Sequence, residues 1–379
     1  MSGLALPTSS HTAKEILQQP ELWRVTAERM ARGANRWAAP VRRSRAVALT
    51  GSGSSEFVAA CAQAGVQRGL GKTAVAVGSG EALLRVKDVL PVERPLLVVS
   101  FARSGNSPES YGVVKTLLDQ DDAIEHLILT CNPEGRVVSQ WAAGHPRVVV
   151  ETLDERSCDK SLVMTSSFTC LALAGLSLGY LDRPSEYLAG SAAAADIAEE
   201  VLGRWAERIE ELARRPFSRM IALGSGPQFG AAREAALKML EMTDGRVVTF
   251  AETALGFRHG PMCALRDDAL LLAFLSADAT IRAYQLDLLR EIRRKNLGNA
   301  VIAVGPDPAV DKLLGDEDLA VTIPQLGELP DDFAALTNVV VGQLLGFFRC
   351  LEEGLSPDQP AETGAISRVV SDFTIHQSK

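Results

Sequence analysis

The sequence predicts an α/β protein made of two similar halves, each with a parallel sheet. Short apolar runs alternate with helical segments along the chain, which is the pattern of βαβ units. Residues 220–226 repeat residues 47–53, because both segments place Gly-Ser-Gly directly after an apolar run. Polar loops that contain glycine follow several predicted strands, and ligand loops of parallel sheets cluster at such strand ends.

The apolar runs place the elements of each half. In the first half we expect strands at residues 46–50, 73–77, 96–100, 126–130 and 147–151. In the second half we expect strands at residues 220–223, 269–276 and 300–304. The predicted domains are a helical N-terminal arm at 1–44, a first domain at 45–195, a second domain at 196–355 and a C-terminal tail at 356–379.

The N-terminal arm carries helix signals of its own. Thr12 is the expected N-cap of a first helix, and Glu15 lies three residues later as its capping-box partner. Pro20 is expected to end that helix, and a second helix is predicted over residues 21–37.

Composition excludes several classes of protein. The 379 residues carry a net charge of −8, which argues against nucleic-acid binding. The six cysteines form no CxxC pair and the five histidines no metal-ligand spacing, so we expect reduced thiols in the cytoplasm and no metal site. The first residues lack the features of a signal peptide. No uninterrupted apolar run approaches the roughly 20 residues of a membrane span.

Two hydroxyl-rich loops could bind an anion. Ser54 and Ser55 follow the strand at 46–50, and the segment Arg103-Ser104-Gly105-Asn106-Ser107 follows the strand at 96–100. Each loop opens a helix, where exposed N–H groups favour phosphate. The alternative is that these residues only cap helices. Neither loop has the spacing of a P-loop or of a dinucleotide fingerprint, so a nucleotide cofactor is disfavoured.

Three further features carry possible chemistry. Thr165, Ser166 and Ser167 form a donor cluster, which alternatively caps the helix that follows. A helix predicted at 229–242 places Glu234, Lys238 and Glu241 on one face, either as a buried charged group or as a solvated ion-pair stripe. His259 lies in a turn that could aim its imidazole, or it is an ordinary loop histidine.

Taken in order, these motifs resemble the sugar isomerase (SIS) family, in its amino-sugar-phosphate branch. The resemblance covers roughly residues 45–375 and rests on GSGSS at 51–55, ARSGNSPES at 102–110, MTSSF at 164–168, ALKMLE at 236–241 and FRHGP at 257–261. It implies two flavodoxin-like, five-stranded parallel-sheet domains in tandem, with a helical N-terminal arm and a C-terminal loop.

The resemblance also assigns roles to residues. The residues expected to bind the substrate and its phosphate are Ser54, Ser55, Arg103, Ser104, Asn106, Ser107, Thr165, Ser166 and Arg368. Glu241, beside Lys238, is expected to move a proton between C1 and C2 of the sugar. His259 is expected to open the sugar ring, often from a neighbouring subunit.

The implied activity is deaminating isomerisation of a 2-amino-2-deoxyhexose 6-phosphate. The expected reaction converts D-galactosamine 6-phosphate into D-tagatose 6-phosphate and ammonia. The alternatives are plain aldose–ketose isomerisation without ammonia release and a non-catalytic sugar-phosphate-binding regulator. We expect no metal and no organic cofactor, no nucleic-acid or membrane partner, and a homodimer or homotetramer in the cytoplasm.

Overall fold

The computed structural model describes residue 6 and residues 9–141, 143–370 and 374–376. The chain divides into two compact units. The first unit comprises the described residues of Glu21–Asp159, Met164–Ser191 and Ser367–Lys379. The second unit comprises those of Met1–Pro20, Lys160–Val163 and Ala192–Ile366. The N-terminal arm and the C-terminal tail therefore contribute residues to both units, and the domain boundaries drawn from the sequence stay predictions.

Two helices open the described chain, α1 (His11–Leu17) and α2 (Gln19–Arg43). The prediction that Thr12 caps α1 is wrong. Ser10 is the N-cap, and its hydroxyl accepts a hydrogen bond from Ala13 N at 3.0 Å. The Thr12 hydroxyl is instead buried and donates to the carboxylate of Asp358.

Glu15 and Pro20 also depart from their predicted roles. The Glu15 carboxylate accepts hydrogen bonds from Lys160 N at 2.6 Å and Ser161 N at 3.3 Å, so it forms no capping box. Pro20 does not end α1, because it is the second residue of α2. A proline in a first turn costs little, since the N–H that it lacks would have no intrahelical partner there.

The first unit holds a five-stranded, all-parallel sheet. Its strands are β1 (Ala46–Gly51), β2 (Thr73–Gly78), β3 (Leu96–Ala102), β4 (Ile124–Thr130) and β5 (Val148–Thr152). The strand order is β2-β1-β3-β4-β5, which is the flavodoxin order. The connecting helices are α3 (Ser54–Leu70), α4 (Ser79–Leu84), α5 (Val86–Val89), α6 (Pro108–Gln120), α7 (Arg136–Trp141) and α8 (Ser166–Leu176).

The second unit repeats this arrangement. Its strands are β6 (Arg219–Gly224), β7 (Val248–Thr253), β8 (Ala269–Phe274), β9 (Ala300–Gly305) and β10 (Leu319–Thr322). They form a parallel sheet in the order β10-β9-β8-β6-β7, which matches the first sheet strand for strand. The later helices are α9 (Pro184–Glu200), α10 (Ala206–Ala213), α11 (Pro227–Met242), α12 (Ala279–Arg294) and α13 (Asp331–Glu352). The predicted α/β class with two tandem parallel sheets is confirmed.

Helix α13 forms the interior of the second unit. By length and composition it could cross a membrane, but 89% of its most apolar window is buried inside the protein, as in a core helix. It packs against α11 through glycines. A Cβ at Gly342 would lie 2.5 Å from Ala235 Cβ, and one at Gly346 would lie 3.5 Å from the main chain of Lys238. This close approach encloses the charged side chains of α11.

Candidate active site

The first serine loop joins β1 to α3. Gly53, with φ of +55°, adopts a conformation that favours glycine and turns the chain so that Ser54 and Ser55 begin the helix. Gly53 is also the N-cap and has no side chain to cap with, so the two serine hydroxyls are not N-cap groups. Both serines are buried, and the Ser55 hydroxyl lies 3.9 Å from Met164 Sδ.

The second loop joins β3 to α6. The Ser104 hydroxyl accepts a hydrogen bond from Asn106 N at 3.2 Å, and the Ser107 hydroxyl is paired with Ser110 Oγ at 2.8 Å. Ser107 is the N-cap of α6, yet its side chain makes no capping hydrogen bond. The capping alternative therefore does not explain Ser107.

A neighbouring loop supports the second serine loop from below. Asn132 Nδ2 donates to Ser104 O at 2.9 Å, and Val137 N donates to Gly105 O at 3.0 Å. Asn106 Oδ1 accepts from the main-chain N of Arg136 at 2.9 Å. These contacts fix the main chain on which the serine hydroxyls stand.

The two serine loops emerge at the same edge of the first sheet. Strands β1 and β3 are adjacent and parallel, with Thr50 opposite Ser100. Their carboxyl ends therefore lie side by side, which is where open parallel sheets bind ligands. The Arg103 side chain comes from the second of these loops and is buried. An anion at this edge would meet hydroxyl groups and a guanidinium, which together suit a phosphate.

Helix α11 carries a buried group of three charges. Lys238 Nζ donates to Glu241 Oε2 at 2.5 Å and lies 3.2 Å from Glu234 Oε1. The side chains of Glu234 and Lys238 are 0% and 1% exposed, whereas that of Glu241 is 22% exposed. The alternative of a solvated ion-pair stripe is therefore wrong. One carboxylate of the group reaches the surface while the ammonium that holds it does not.

The ammonium of Lys238 keeps its charge despite its burial. Burial acts to lower the pKa of Lys238, but the charges of Glu234 and Glu241 and their hydrogen bonds outweigh it, so the pKa is raised above its usual value. Lys238 is therefore a fixed cation and not a base. Its position holds Glu241 Oε2 in place and leaves Oε1 of the same carboxylate for other chemistry.

His259 is exposed at the tip of a well-anchored turn. Phe257 is fully buried, and Arg258 Nε lies 2.9 Å from Glu291 Oε2, so the turn is fixed on both sides of its backbone. The main-chain N of His259 donates to Gly256 O at 2.9 Å. The imidazole itself points outward from this frame and can meet a ligand or another chain.

Comparisons with known proteins agree with this geometry. No family model matches the chain. A relative from Escherichia coli named D-galactosamine-6-phosphate deaminase AgaS is 30% identical over 98% of this chain and 97% of its own length. A Streptomyces coelicolor relative that carries the same name provisionally is 37% identical over 97% of this chain and 95% of its own.

The chain belongs to the sugar isomerase family, in its amino-sugar-phosphate branch. The crystal structure of tagatose-6-phosphate ketose/aldose isomerase from Escherichia coli covers 99% of both chains with a TM-score of 0.87 and 28% identity. The family and the fold predicted from the sequence motifs are thus confirmed. The chain belongs to a family of enzymes, whose names place isomerase and deaminase chemistry on sugar phosphates.

In this SIS-family chain the hydroxyl cluster before α8 serves an internal carboxylate. Asp159 is fully buried, and its two carboxylate oxygens accept hydrogen bonds from both the main-chain N and the hydroxyl of Thr165, Ser166 and Ser167. These residues therefore stabilise the start of α8, as the capping alternative requires. A substrate contact by Thr165 or Ser166 stays a prediction.

Asp159 is the residue of this SIS-family site that the sequence interpretation missed. Its main-chain carbonyl accepts hydrogen bonds from Nε and Nη2 of Arg368, and the carbonyl of Arg368 accepts one from Arg103 Nη2 at 2.7 Å. Arg368 is thereby brought to the second serine loop. An acidic residue a few positions before a Thr-Ser-Ser run was the available signal, since a carboxylate favours a helix N-terminus.

The described residues hold no group of three or more His, Cys, Asp or Glu side chains that could bind a metal ion. The charged groups that remain for chemistry are those of α11, the turn of His259 and the loop of Arg103.

Proposed function

We propose that this chain converts D-galactosamine 6-phosphate into D-tagatose 6-phosphate and ammonia. The observation that carries the proposal is the carboxylate of Glu241, partly exposed and held by the buried ammonium of Lys238. Two relatives that align along nearly the whole chain support the substrate, since both are named for deamination of D-galactosamine 6-phosphate. The same chemistry makes the chain a hydrolase of a carbon–nitrogen bond.

The reaction requires one proton transfer and one hydrolysis. After ring opening, assisted by His259, Glu241 takes the proton from C2 of the amino aldose and returns a proton to C1. The aldehyde oxygen gains a proton and the amino nitrogen loses one, so the product is the isomeric ketose imine. Water then adds to the C=N bond, and the ketose 6-phosphate and ammonia leave.

The phosphate supplies binding energy that does not depend on the reacting carbons. Ser55, Ser104 and Ser107 would donate hydroxyl hydrogen bonds to its oxygens, and Arg103 would add a charge-assisted one. Such remote contacts can be used to orient C1 and C2 for proton transfer. Ser54 and Asn106 are adjacent residues of the same loops and would shape them.

A coupled assay of ammonia release tests the proposal. D-galactosamine 6-phosphate, D-glucosamine 6-phosphate and D-tagatose 6-phosphate are each supplied, and ammonia and ketose 6-phosphate are both measured. We expect ammonia and tagatose 6-phosphate in equal amounts from the galactosamine ester. Turnover of every amino sugar without ammonia would contradict the proposal.

A second candidate is plain aldose–ketose isomerisation of a sugar phosphate. It is favoured by the printed name of the Escherichia coli structure, which is a tagatose-6-phosphate ketose/aldose isomerase. The same Glu241 would move a proton between C1 and C2, but the substrate would carry a hydroxyl at C2. Isomerisation of D-tagatose 6-phosphate in the assay above, with no ammonia from any amino sugar, would select this candidate.

We also propose a cytoplasmic homodimer. The edge strand β7 exposes Val248 by 65%, and Leu255 after it and Leu240 on α11 are 47% and 36% exposed. Apolar side chains beside an open sheet edge suit burial by a second copy. All six cysteines are free, as expected in a reducing compartment. Light scattering after gel filtration tests the oligomer, and a monomer with full activity would exclude it.

A further inference from the structure

We propose that Asp159 and Arg368 are positioning residues that hold Arg103 in place, and that Arg368 acts through Arg103 instead of touching the substrate. This inference rests on the function proposed above, because it assigns Arg103 a phosphate to bind. It changes the role that the family resemblance implied for Arg368.

Asp159 provides the fixed end of this arrangement. The amides of Thr165, Ser166 and Ser167 lie 2.7 Å, 3.1 Å and 2.9 Å from its carboxylate oxygens, and the three hydroxyls add further bonds. A carboxylate with so many donors in a fully buried place has one available conformation. The main-chain carbonyl of Asp159 therefore has a fixed position relative to α8.

Arg368 connects that fixed carbonyl to the serine loop. Its Nε lies 3.1 Å from Asp159 O, its Nη2 donates to the same oxygen, and Nη2 also lies 3.8 Å from Cys158 Sγ. The guanidinium is thus directed at the main chain of residues 158–159. The outgoing contact is the Arg368 carbonyl, which accepts from Arg103 Nη2 at 2.7 Å.

The tail makes a second contact with the same part of the first unit. Ile375 lies against α6, because a Cβ at Gly112 would come within 2.7 Å of Ile375 Cδ1. Helix α6 begins at Pro108, directly after the loop that carries Arg103. The tail is therefore held both before and beyond the point at which it meets Arg103, which limits the orientations of that guanidinium.

A double-mutant cycle separates positioning from direct contact. The four proteins are wild type, Arg103→Ala, Arg368→Ala and the double variant, each as the full chain. For each we measure KM and kcat with D-galactosamine 6-phosphate and the dissociation constant of inorganic phosphate by calorimetry. Arg183→Ala is the matched control, because Arg183 also donates to a main-chain carbonyl, Gly179 O at 3.3 Å, in the same unit.

We expect Arg368→Ala to raise KM and the phosphate dissociation constant by about fivefold to tenfold, the weight of one hydrogen bond. Its kcat should stay close to that of wild type, and Arg183→Ala should leave both constants unchanged. In the Arg103→Ala background, loss of Arg368 should add less than about twofold, since residues that act through one another are not additive.

Two results would overturn the inference. If the effects of the two substitutions on KM and phosphate affinity multiply, Arg368 contributes independently of Arg103. If Arg368→Ala leaves phosphate affinity unchanged while Arg103→Ala weakens it, Arg368 does not position Arg103. The phosphate measurement needs no turnover, so a chain that fails to release ammonia would refute the proposed function and still decide this inference. An unchanged phosphate affinity in Arg103→Ala would refute both.

Discussion

The ammonium of Lys238 lies 2.5 Å from Glu241 Oε2, and both side chains project from the same face of α11. Lys238 is almost completely buried and Glu241 is not. A fixed cation thus holds one oxygen of a carboxylate that reaches the surface. This pair explains how a helix can present a general base in a constant orientation without a metal ion.

We expect Glu241→Gln to lower kcat by about 100-fold or more, because general acid–base catalysis contributes at least that much. The KM for the amino-sugar phosphate should change little, since the phosphate contacts are intact. Steady-state ammonia release measures both constants. Glu207→Gln, which alters an exposed glutamate of α10 in the same unit, is the control and should behave as wild type. Near-normal kcat in Glu241→Gln would remove this residue from the chemistry.

Lys238→Met should destabilise the protein by about 3–5 kcal/mol, the range found when one partner of a buried ion pair is removed. The physical reason is that Glu234 and Glu241 would face each other without the ammonium between them. Urea unfolding followed by circular dichroism measures the change. Lys115→Met removes an exposed lysine that pairs with Asp119 and should cost less than about 1 kcal/mol. Equal costs for the two variants would show that the α11 group is not a buried ion pair.

The free energy of unfolding should fall as the pH is lowered from about 6.5 to about 3. His126 lies fully buried in β4, and neither ring nitrogen has a hydrogen-bond partner among the described residues. Burial, with smaller effects from Arg147 and His145, lowers its pKa from 6.5 to about 3. In this interval the unfolded chain binds a proton that the folded chain does not, which favours unfolding by up to about 1.4 kcal/mol per pH unit.

Replacing this histidine tests the assignment. His126→Leu should flatten the pH dependence of stability in that interval, whereas His11→Leu, at an exposed position, should leave it unchanged. Urea titrations at several pH values give the slopes. A His126→Leu protein with the wild-type slope would mean that other groups set the acid sensitivity.

Asp159→Asn should cost at least about 2 kcal/mol of stability, because the amide NH₂ would replace an oxygen that accepts several hydrogen bonds in a buried site. Asp154→Asn is the contrasting variant. Asp154 is the N-cap of the short helix Glu155–Ser157, and Asn is as good a cap as Asp. Its cost should stay below about 1 kcal/mol. Thermal unfolding of both variants would contradict the account if their order were reversed.

The sequence was sufficient for the parts of the fold with local signals. Strands β1, β3, β4 and β6 are continuous apolar runs that end in glycine or polar loops, so both pattern and position could be read. The edge strand β7 was not predicted, because it is half-exposed and mixes Thr and Glu with apolar residues. Thr12 was chosen as a cap over Ser10 because its buried partner, Asp358, lies far along the chain.

The candidate site shows the same division. Spacing placed Glu234, Lys238 and Glu241 on one face of a helix, but it could not show that α13 covers them, since the covering glycine is Gly346. The Thr165 and Ser166 hydroxyls were correctly read as a donor cluster. Their acceptor, Asp159, could not be identified without the turn that brings it back to the helix start.

One labelling experiment would test proton transfer by Glu241 and ammonia release together. D-galactosamine 6-phosphate is converted in D₂O, and the ketose 6-phosphate is analysed for deuterium at C1 while ammonia is counted. We predict one ammonia for each ketose, C1 hydrogen that derives from C2 or from solvent through an exchangeable acid, and loss of both products by about 100-fold in Glu241→Gln. Ammonia release that persists at the wild-type rate in Glu241→Gln, or a ketose formed without ammonia, would contradict the account.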